Sequence, residues 1–186
     1  MISNLPVVGF SAYSGTGKTT LLTGVIPQLK SRGLKVAVIK HAHHHFDLDQ
    51  PGKDSYELRK AGADQTVICT HTRMAVISEF DGPAEEPSLE QIIESLNPAK
   101  ADLVLVEGYK HLEFAKIELH RKALGKPYLY PDDPAIIAIA CDATPSHPTT
   151  IPVLDINDPK RIAEFIYQQI YLGGSLNEVG SNSFDR

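Results

Sequence analysis

The chain carries no tryptophan and only two cysteines among its 186 residues. Two thiols cannot supply the bridged framework on which small secreted domains rely. Cys69 and Cys141 each lie in or at the end of an apolar, strand-like run, where a buried free thiol is the expected state. Excess positive charge is missing as well. Lys and Arg number 18 against 23 Asp and Glu, a formal net charge of −5. That balance argues against a general binder of nucleic acid or of membrane surfaces. Long hydrophobic runs are also lacking. The longest, residues 135–141, is far too short to cross a bilayer, and no secretory apolar core follows Met1. A reducing cytoplasm is the expected compartment, with neither nucleic acid nor membrane as a partner.

What is present points to an ordinary globular chain. An apolar fraction of 42% with 22% charged residues suits a soluble domain, and the length suits one domain with a real core rather than two.

The most informative stretch is Ala12-Tyr13-Ser14-Gly15-Thr16-Gly17-Lys18-Thr19-Thr20. It follows the apolar run 7–10 and opens a helical pattern at Lys18. A strand, a glycine-bearing loop and a helix form the context that a phosphate-binding loop requires. Gly15 and Gly17 let backbone N–H groups turn inward with no Cβ in the way. The N–H groups that open the helix lack intrahelical partners, so an anion can satisfy them. Ser14, Gly15, Thr16, Gly17, Lys18, Thr19 and Thr20 are the expected nucleotide-binding residues. Lys18 can reach the β- and γ-phosphates as a point charge, and the Thr19 hydroxyl can ligate Mg²⁺. Ala12 stands at the usual first glycine, so the match is to the looser Gly-or-Ala form. The bland alternative, a glycine-rich turn with an exposed lysine, leaves two glycines, Lys18 and Thr19 unexplained together.

The rest of the chain reads as α/β. Residues 6–11, 35–40, 103–106 and 136–140 are short apolar runs of the kind buried in parallel sheets. Residues 65–70 and 73–80, separated only by His71 and Thr72, predict a β-hairpin. Residues 116–120 alternate apolar and polar, as a half-exposed strand does. Helices are expected from Lys18 with a bend at Pro27, over 55–61 with Asp54 as N-cap and Glu57 as its capping-box partner, over 88–96, and from Pro159 with Asp158 as N-cap. The expected fold is a P-loop NTPase with three α/β/α layers, a mostly parallel central sheet and a β-hairpin insertion. Residues 1–172 form the nucleotide-binding domain. Residues 173–186, rich in Gly, Ser and Asn, are expected to be a disordered tail.

Several further residues could carry chemistry. Glu107 closes an apolar strand, where the second Mg²⁺-handling carboxylate belongs in a phosphate-loop protein. Gly108 after it lets backbone approach the phosphates. Asp47 and Asp49 lie in the polar loop after the second strand, and Asp49 is the preferred acid for Mg²⁺ or for orienting attacking water. In each case the alternative is a solvated acid. His41 could touch a phosphate. With His43, His44 and His45 it could instead ligate Zn²⁺ or Ni²⁺, the reading of a nickel or zinc metallochaperone GTPase using the His41–His45 loop. Asp142 follows a strand on the ligand-facing edge. A carboxylate there could accept from guanine N1–H and the 2-amino group together, which would select GTP over ATP; the alternative is a plain turn acid.

These motifs also resemble a family. The phosphate loop, Ile39-Lys40-His41, the block Pro51-Gly52-Lys53-Asp54-Ser55-Tyr56-Glu57-Leu58-Arg59-Lys60-Ala61-Gly62-Ala63, Leu105-Val106-Glu107-Gly108-Tyr109-Lys110-His111, and Leu154-Asp155-Ile156-Asn157-Asp158 are similar to those of the MobB family, the molybdopterin-guanine dinucleotide biosynthesis adapter proteins. The resemblance covers residues 5–171. It implies a GTP-binding fold that pairs as a homodimer, with GTP and Mg²⁺ as ligands and weak intrinsic hydrolysis. It implies a helper role beside the guanylyltransferase that joins GMP to molybdenum cofactor, with molybdenum-insertion enzymes and molybdopterin itself as further partners. Lys18, Glu107 and Asp49 are then the catalytic residues, and Thr19, Glu107 and Asp49 the Mg²⁺ ligands. No arginine finger is certain; Arg59 and Arg73 are candidates across a dimer interface.

Overall fold

The computed structural model describes residues 5–42, 47–80 and 86–173. Its backbone forms two compact units, one comprising the chain up to His41 and from Leu89 onward, the other Ala42–Ser88.

The larger unit is built on six parallel strands. They are β1 (Val7–Ser11), β2 (Val36–Lys40), β5 (Leu103–Glu107), β6 (Lys116–His120), β7 (Ile136–Cys141) and β8 (Val153–Asp155), hydrogen-bonded in the order β2-β5-β1-β6-β7-β8. The strands β3 (Gln65–Cys69) and β4 (Met74–Ser78) belong to the second unit. The apolar runs of β1, β5 and β7 are buried because both sheet faces are covered there; β2, expected to be buried as well, is an edge strand in which only Ile39 is buried and Val38 is exposed. Alternate residues feed two cores. Val8, Phe10, Leu103, Leu105, Ile117 and Leu119 pack with Leu21, Val25 and Leu29 of helix α1 (Lys18–Lys30) and with Ile162 and Ile166 of helix α4 (Pro159–Ile166). On the opposite face Val7, Ile39, Val104 and Val106 pack with Leu89 and Ile93 of helix α3 (Leu89–Glu94). The result is the expected α/β/α layering. Helix α4 starts as its sequence predicts: Asp158 Oδ1 accepts from the Arg161 N–H at 3.0 Å, and Pro159 follows the cap. Helix α1 continues through Pro27. A Cβ built on Gly24 would lie 2.9 Å from the Pro159 ring, so α1 and α4 touch through a glycine.

β6 corrects the sequence reading. Its alternation predicts a half-exposed strand, yet all five residues are buried. The strand lies inside the sheet, and its polar side chains bind the backbone that covers them. Lys116 Nζ donates to the Lys110 and Leu112 carbonyls at 2.9 and 3.0 Å and pairs with Asp133 at 2.6 Å. Glu118 accepts from the Leu129 and Tyr130 N–H groups at 3.0 and 2.8 Å. His120 Nε2 donates to the Lys126 carbonyl at 2.9 Å. Burial pushes the Glu118 carboxyl above its usual range, and the two N–H donors offset part of that rise.

The second unit holds helix α2 (Asp54–Lys60) and the antiparallel pair β3 (Gln65–Cys69) and β4 (Met74–Ser78). The hairpin forms without an Asn-Gly turn because the Thr70 side chain organises the connection. Its Oγ1 accepts from the Arg73 N–H at 3.0 Å, while the Thr70 N–H donates to the Arg73 carbonyl at 2.7 Å. The capping box expected at Asp54 does not form. Asp54 is the first helical residue, and Lys53 occupies the cap in an extended conformation with no side-chain cap bond. Asp54 and Glu57 still lie in the first turn, where the helix dipole favours acids. The cysteines divide: Cys141 is buried as expected, but Cys69 is exposed because it alternates onto the open face of the hairpin, opposite Met74.

Candidate functional site at the switch-point strand

Strand order reverses at β1. β5 lies on one side of it and β6 on the other, and in open α/β sheets ligands bind beyond the carboxyl end of such a strand. The loop from Ala12 to Gly17 leaves β1 there. Gly15 and Gly17 have φ values of 82° and 94°, left-handed conformations that explain both glycines. The Thr16 hydroxyl and N–H both donate to the Tyr13 carbonyl, at 2.8 and 3.4 Å. Gly17 caps α1 with no side-chain bond, and the first helical hydrogen bond runs from the Leu21 N–H to the Gly17 carbonyl at 2.9 Å. The amides of Lys18, Thr19 and Thr20 therefore precede the helical ladder. A Cβ on Gly15 would meet nothing within 4 Å, so the loop opens outward. Lys18 Nζ donates to the Ala12 carbonyl at 3.4 Å. Burial lowers the Lys18 pKa, Glu107 opposes that shift, and Lys110 and Lys40 add to it.

Glu107 pairs in register with Phe10 of β1 and with Lys40 of β2, so it stands at the same carboxyl edge as the loop. One carboxylate with the Thr19 hydroxyl is a hard-oxygen donor set that suits Mg²⁺, which takes one or two carboxylates beside substrate phosphates. After Glu107 the chain turns through Gly108 at φ 114° and Tyr109 at φ 50°. His41 packs against this turn. Its N–H donates to the Glu107 carbonyl at 2.8 Å, its ring lies 4.7 Å from that of Tyr109, and a Cβ on Gly108 would sit 2.4 Å from His41 Cβ.

Asp142 follows β7 at the same edge. Its Oδ1 accepts from the Lys122 N–H at 2.9 Å, and its Oδ2 lies 3.7 Å from Arg121 Nη1. The Lys122 N–H holds its carboxyl below the usual range, and Arg121 contributes. The segment after it is tied down: Tyr128 Oη accepts from the Ser146 N–H at 3.2 Å, and Tyr130 Oη donates to the His147 carbonyl at 3.0 Å.

Arg121 is the residue sequence reasoning missed. It follows β6, and its Nε donates to the Thr16 carbonyl of the phosphate loop at 3.0 Å. A cation at the end of a strand was a visible signal, but nothing in the sequence places β6 beside β1.

Asp49 lies in the second unit. Its Oδ1 accepts from the Gln50 N–H at 2.9 Å and the Ser55 hydroxyl at 3.1 Å, while its buried Oδ2 has no protein partner. Arg59 is held within that unit by Asp47 at 2.7 Å and Glu79 at 2.8 Å. His43, His44 and His45 lie outside the described residues. Among the described residues no group of three or more His, Cys, Asp or Glu is placed to hold a metal ion, and no helix is long and apolar enough to cross a membrane.

A parallel sheet whose switch-point strand feeds a glycine loop, with Lys18 and Thr19 opening the helix beyond, defines a P-loop NTPase fold. The chain belongs to the family described as molybdopterin guanine dinucleotide synthesis protein B, whose model matches residues 7–142. It is 45% identical over 165 residues to the molybdopterin-guanine dinucleotide biosynthesis adapter protein of Escherichia coli (strain K12), covering 88% of this chain and 93% of that one. To the adapter protein of the same description from Haemophilus influenzae it is 39% identical over 166 residues, 89% of this chain and 90% of the other. A crystal structure of molybdopterin-guanine biosynthesis protein B (mobB) superposes with a TM-score of 0.69 at 28% identity, covering 88% of this chain and 99% of that one.

Proposed function

We propose that this chain is a cytoplasmic GTP-binding adapter that assists conversion of molybdenum cofactor to its guanine dinucleotide form, with weak Mg²⁺-dependent GTPase activity. The observation that carries the proposal is the open glycine loop at the end of β1, with Lys18 beside it, in a chain related along most of its length to adapters of that pathway. Lys18 and the amides of residues 14–20 hold the β- and γ-phosphates. Thr19 and Glu107 hold Mg²⁺, which would neutralise phosphate charge there. His41 and Gly108 shape the γ-phosphate side, and Asp142 reads the guanine edge. Arg59 is already paired with Asp47 and Glu79, which leaves Arg73 as the candidate finger across a dimer interface, so turnover by a single chain is slow.

The partners are a second copy of the chain, the molybdenum cofactor guanylyltransferase and the molybdenum-insertion enzymes, with molybdopterin as the shared cargo. The hairpin supports self-association: Val67, Met74 and Val76 lie on one face at 53%, 66% and 49% exposure, an apolar surface that favours burial.

Calorimetry with Mg²⁺-GTP and Mg²⁺-ATP, and guanylyltransferase turnover with and without added chain, test the proposal. GTP binding preferred over ATP and faster dinucleotide formation are the expected results. Absence of GTP binding would refute the phosphate-loop assignment, and Asp142→Asn with unchanged GTP preference would remove Asp142 from base reading.

A further inference from the structure

Arg121 joins three segments that the sequence keeps far apart. Nε donates to the Thr16 carbonyl at 3.0 Å, Nη2 donates to Asn157 Oδ1 at 3.2 Å just beyond β8, and Nη1 lies 3.7 Å from Asp142 Oδ2 beyond β7. The guanidinium also lies over the loop's second glycine, since a Cβ on Gly17 would be 3.9 Å from Arg121 Nε.

The Thr16 contact has a stereochemical result. In a planar trans peptide the carbonyl and the following N–H point in opposite directions. Fixing the Thr16 carbonyl toward Arg121 turns the Gly17 N–H away from that cation. Gly17 at φ 94° has the freedom to flip, so the loop needs an external constraint to keep one orientation. A guanidinium can supply this with two separately aimed hydrogen bonds, from Nε and Nη2, and an ion pair at Nη1; an ammonium, a single point charge on a flexible stem, cannot span the same partners.

We propose that Arg121 is a positioning residue for nucleotide. It sets the Thr16–Gly17 peptide in the orientation that receives phosphate, and through Asp142 and Asn157 it ties the phosphate loop to the edge that reads the base. This inference rests on the nucleotide-binding assignment above. Phosphate and base recognition are then coupled: loss of Arg121 weakens triphosphate binding and base selectivity together.

The test is calorimetry of the full chain with Mg²⁺-GTP and Mg²⁺-ATP for wild type, Arg121→Gln, Arg121→Lys and Arg121→Ala, with unfolding temperatures measured in parallel. Loss of charge-assisted bonds predicts GTP affinity lower by about tenfold or more in all three variants, with a narrower GTP-to-ATP ratio. Millimolar guanidinium restores part of the GTP affinity of Arg121→Ala, which general loss of folding would not allow. Wild-type GTP affinity in Arg121→Gln, full retention in Arg121→Lys, or weakening without guanidinium rescue would overturn the inference while leaving the nucleotide assignment standing. A wild-type chain that binds no nucleotide would overturn both.

Discussion

Lys18 sits between opposing influences. Burial, with Lys110 and Lys40, disfavours its charge, and Glu107 offsets only part of that, so a stronger anion beside the ammonium would favour its charged form. Lys18→Ala removes the point charge that no loop amide can replace. It should lower Mg²⁺-GTP affinity by about a hundredfold, seen by calorimetry, with little change in the unfolding temperature of the nucleotide-free chain. Glu118 is a residue of the opposite kind, committed to structure. In Glu118→Gln one of the two backbone donors, Leu129 or Tyr130, must face an amide NH₂. The variant should lose about 1–3 kcal/mol in denaturant titration at neutral pH. The pH dependence has a fixed sign. A carboxyl whose folded pKa is raised adds stability that is complete below the ordinary glutamate range and is lost as pH rises through the raised value. The gap between wild type and Glu118→Gln should therefore widen as pH falls from neutral toward that range.

Among the elements, α1 shows how a local rule yields to packing. Glycine within a helix costs about 0.5–1 kcal/mol relative to alanine, yet Gly24→Ala should destabilise, because its Cβ would meet the rigid Pro159 ring at 2.9 Å. A loss of about 1–3 kcal/mol in thermal unfolding is expected; a gain would show that α4 shifts freely. The same scale shows what could be read in advance. The strands β1, β5 and β7 and the cap at Asp158 were legible because burial on two faces and the Asp-Pro start each leave a direct mark in residue type. β6 was not. Period-two alternation reports which side chains are polar, and here polar side chains are buried because Lys116, Glu118 and His120 have backbone partners 4 to 12 residues away. Similarly, Asp54 has the chemistry of a cap, but it entered the helix one position too late.

For the molecule as a whole, the order of strands mattered more than their existence. The loop, Glu107 and Asp142 were legible as candidates because each follows an apolar run. Their neighbours were not, since insertion of β5 between β1 and β2, and of β6 beside β1, is set by packing across the chain. Arg121 stayed unnoticed for that reason. The proposed self-association belongs at this scale too. Val76→Lys, on the open face of the hairpin opposite Val67, should convert a dimer to a monomer in sedimentation without changing GTP affinity per chain. A dimer that survives would exclude this face from the contact.

The covering of β6 has a consequence for motion. Leu129 and Tyr130 belong to no helix or strand, and loop amides ordinarily trade their hydrogens with solvent quickly. These two end on a carboxylate buried in the sheet. In deuterium they should exchange on the slow timescale of the strand beneath them, marking a piece of irregular backbone that opens only when the sheet itself does.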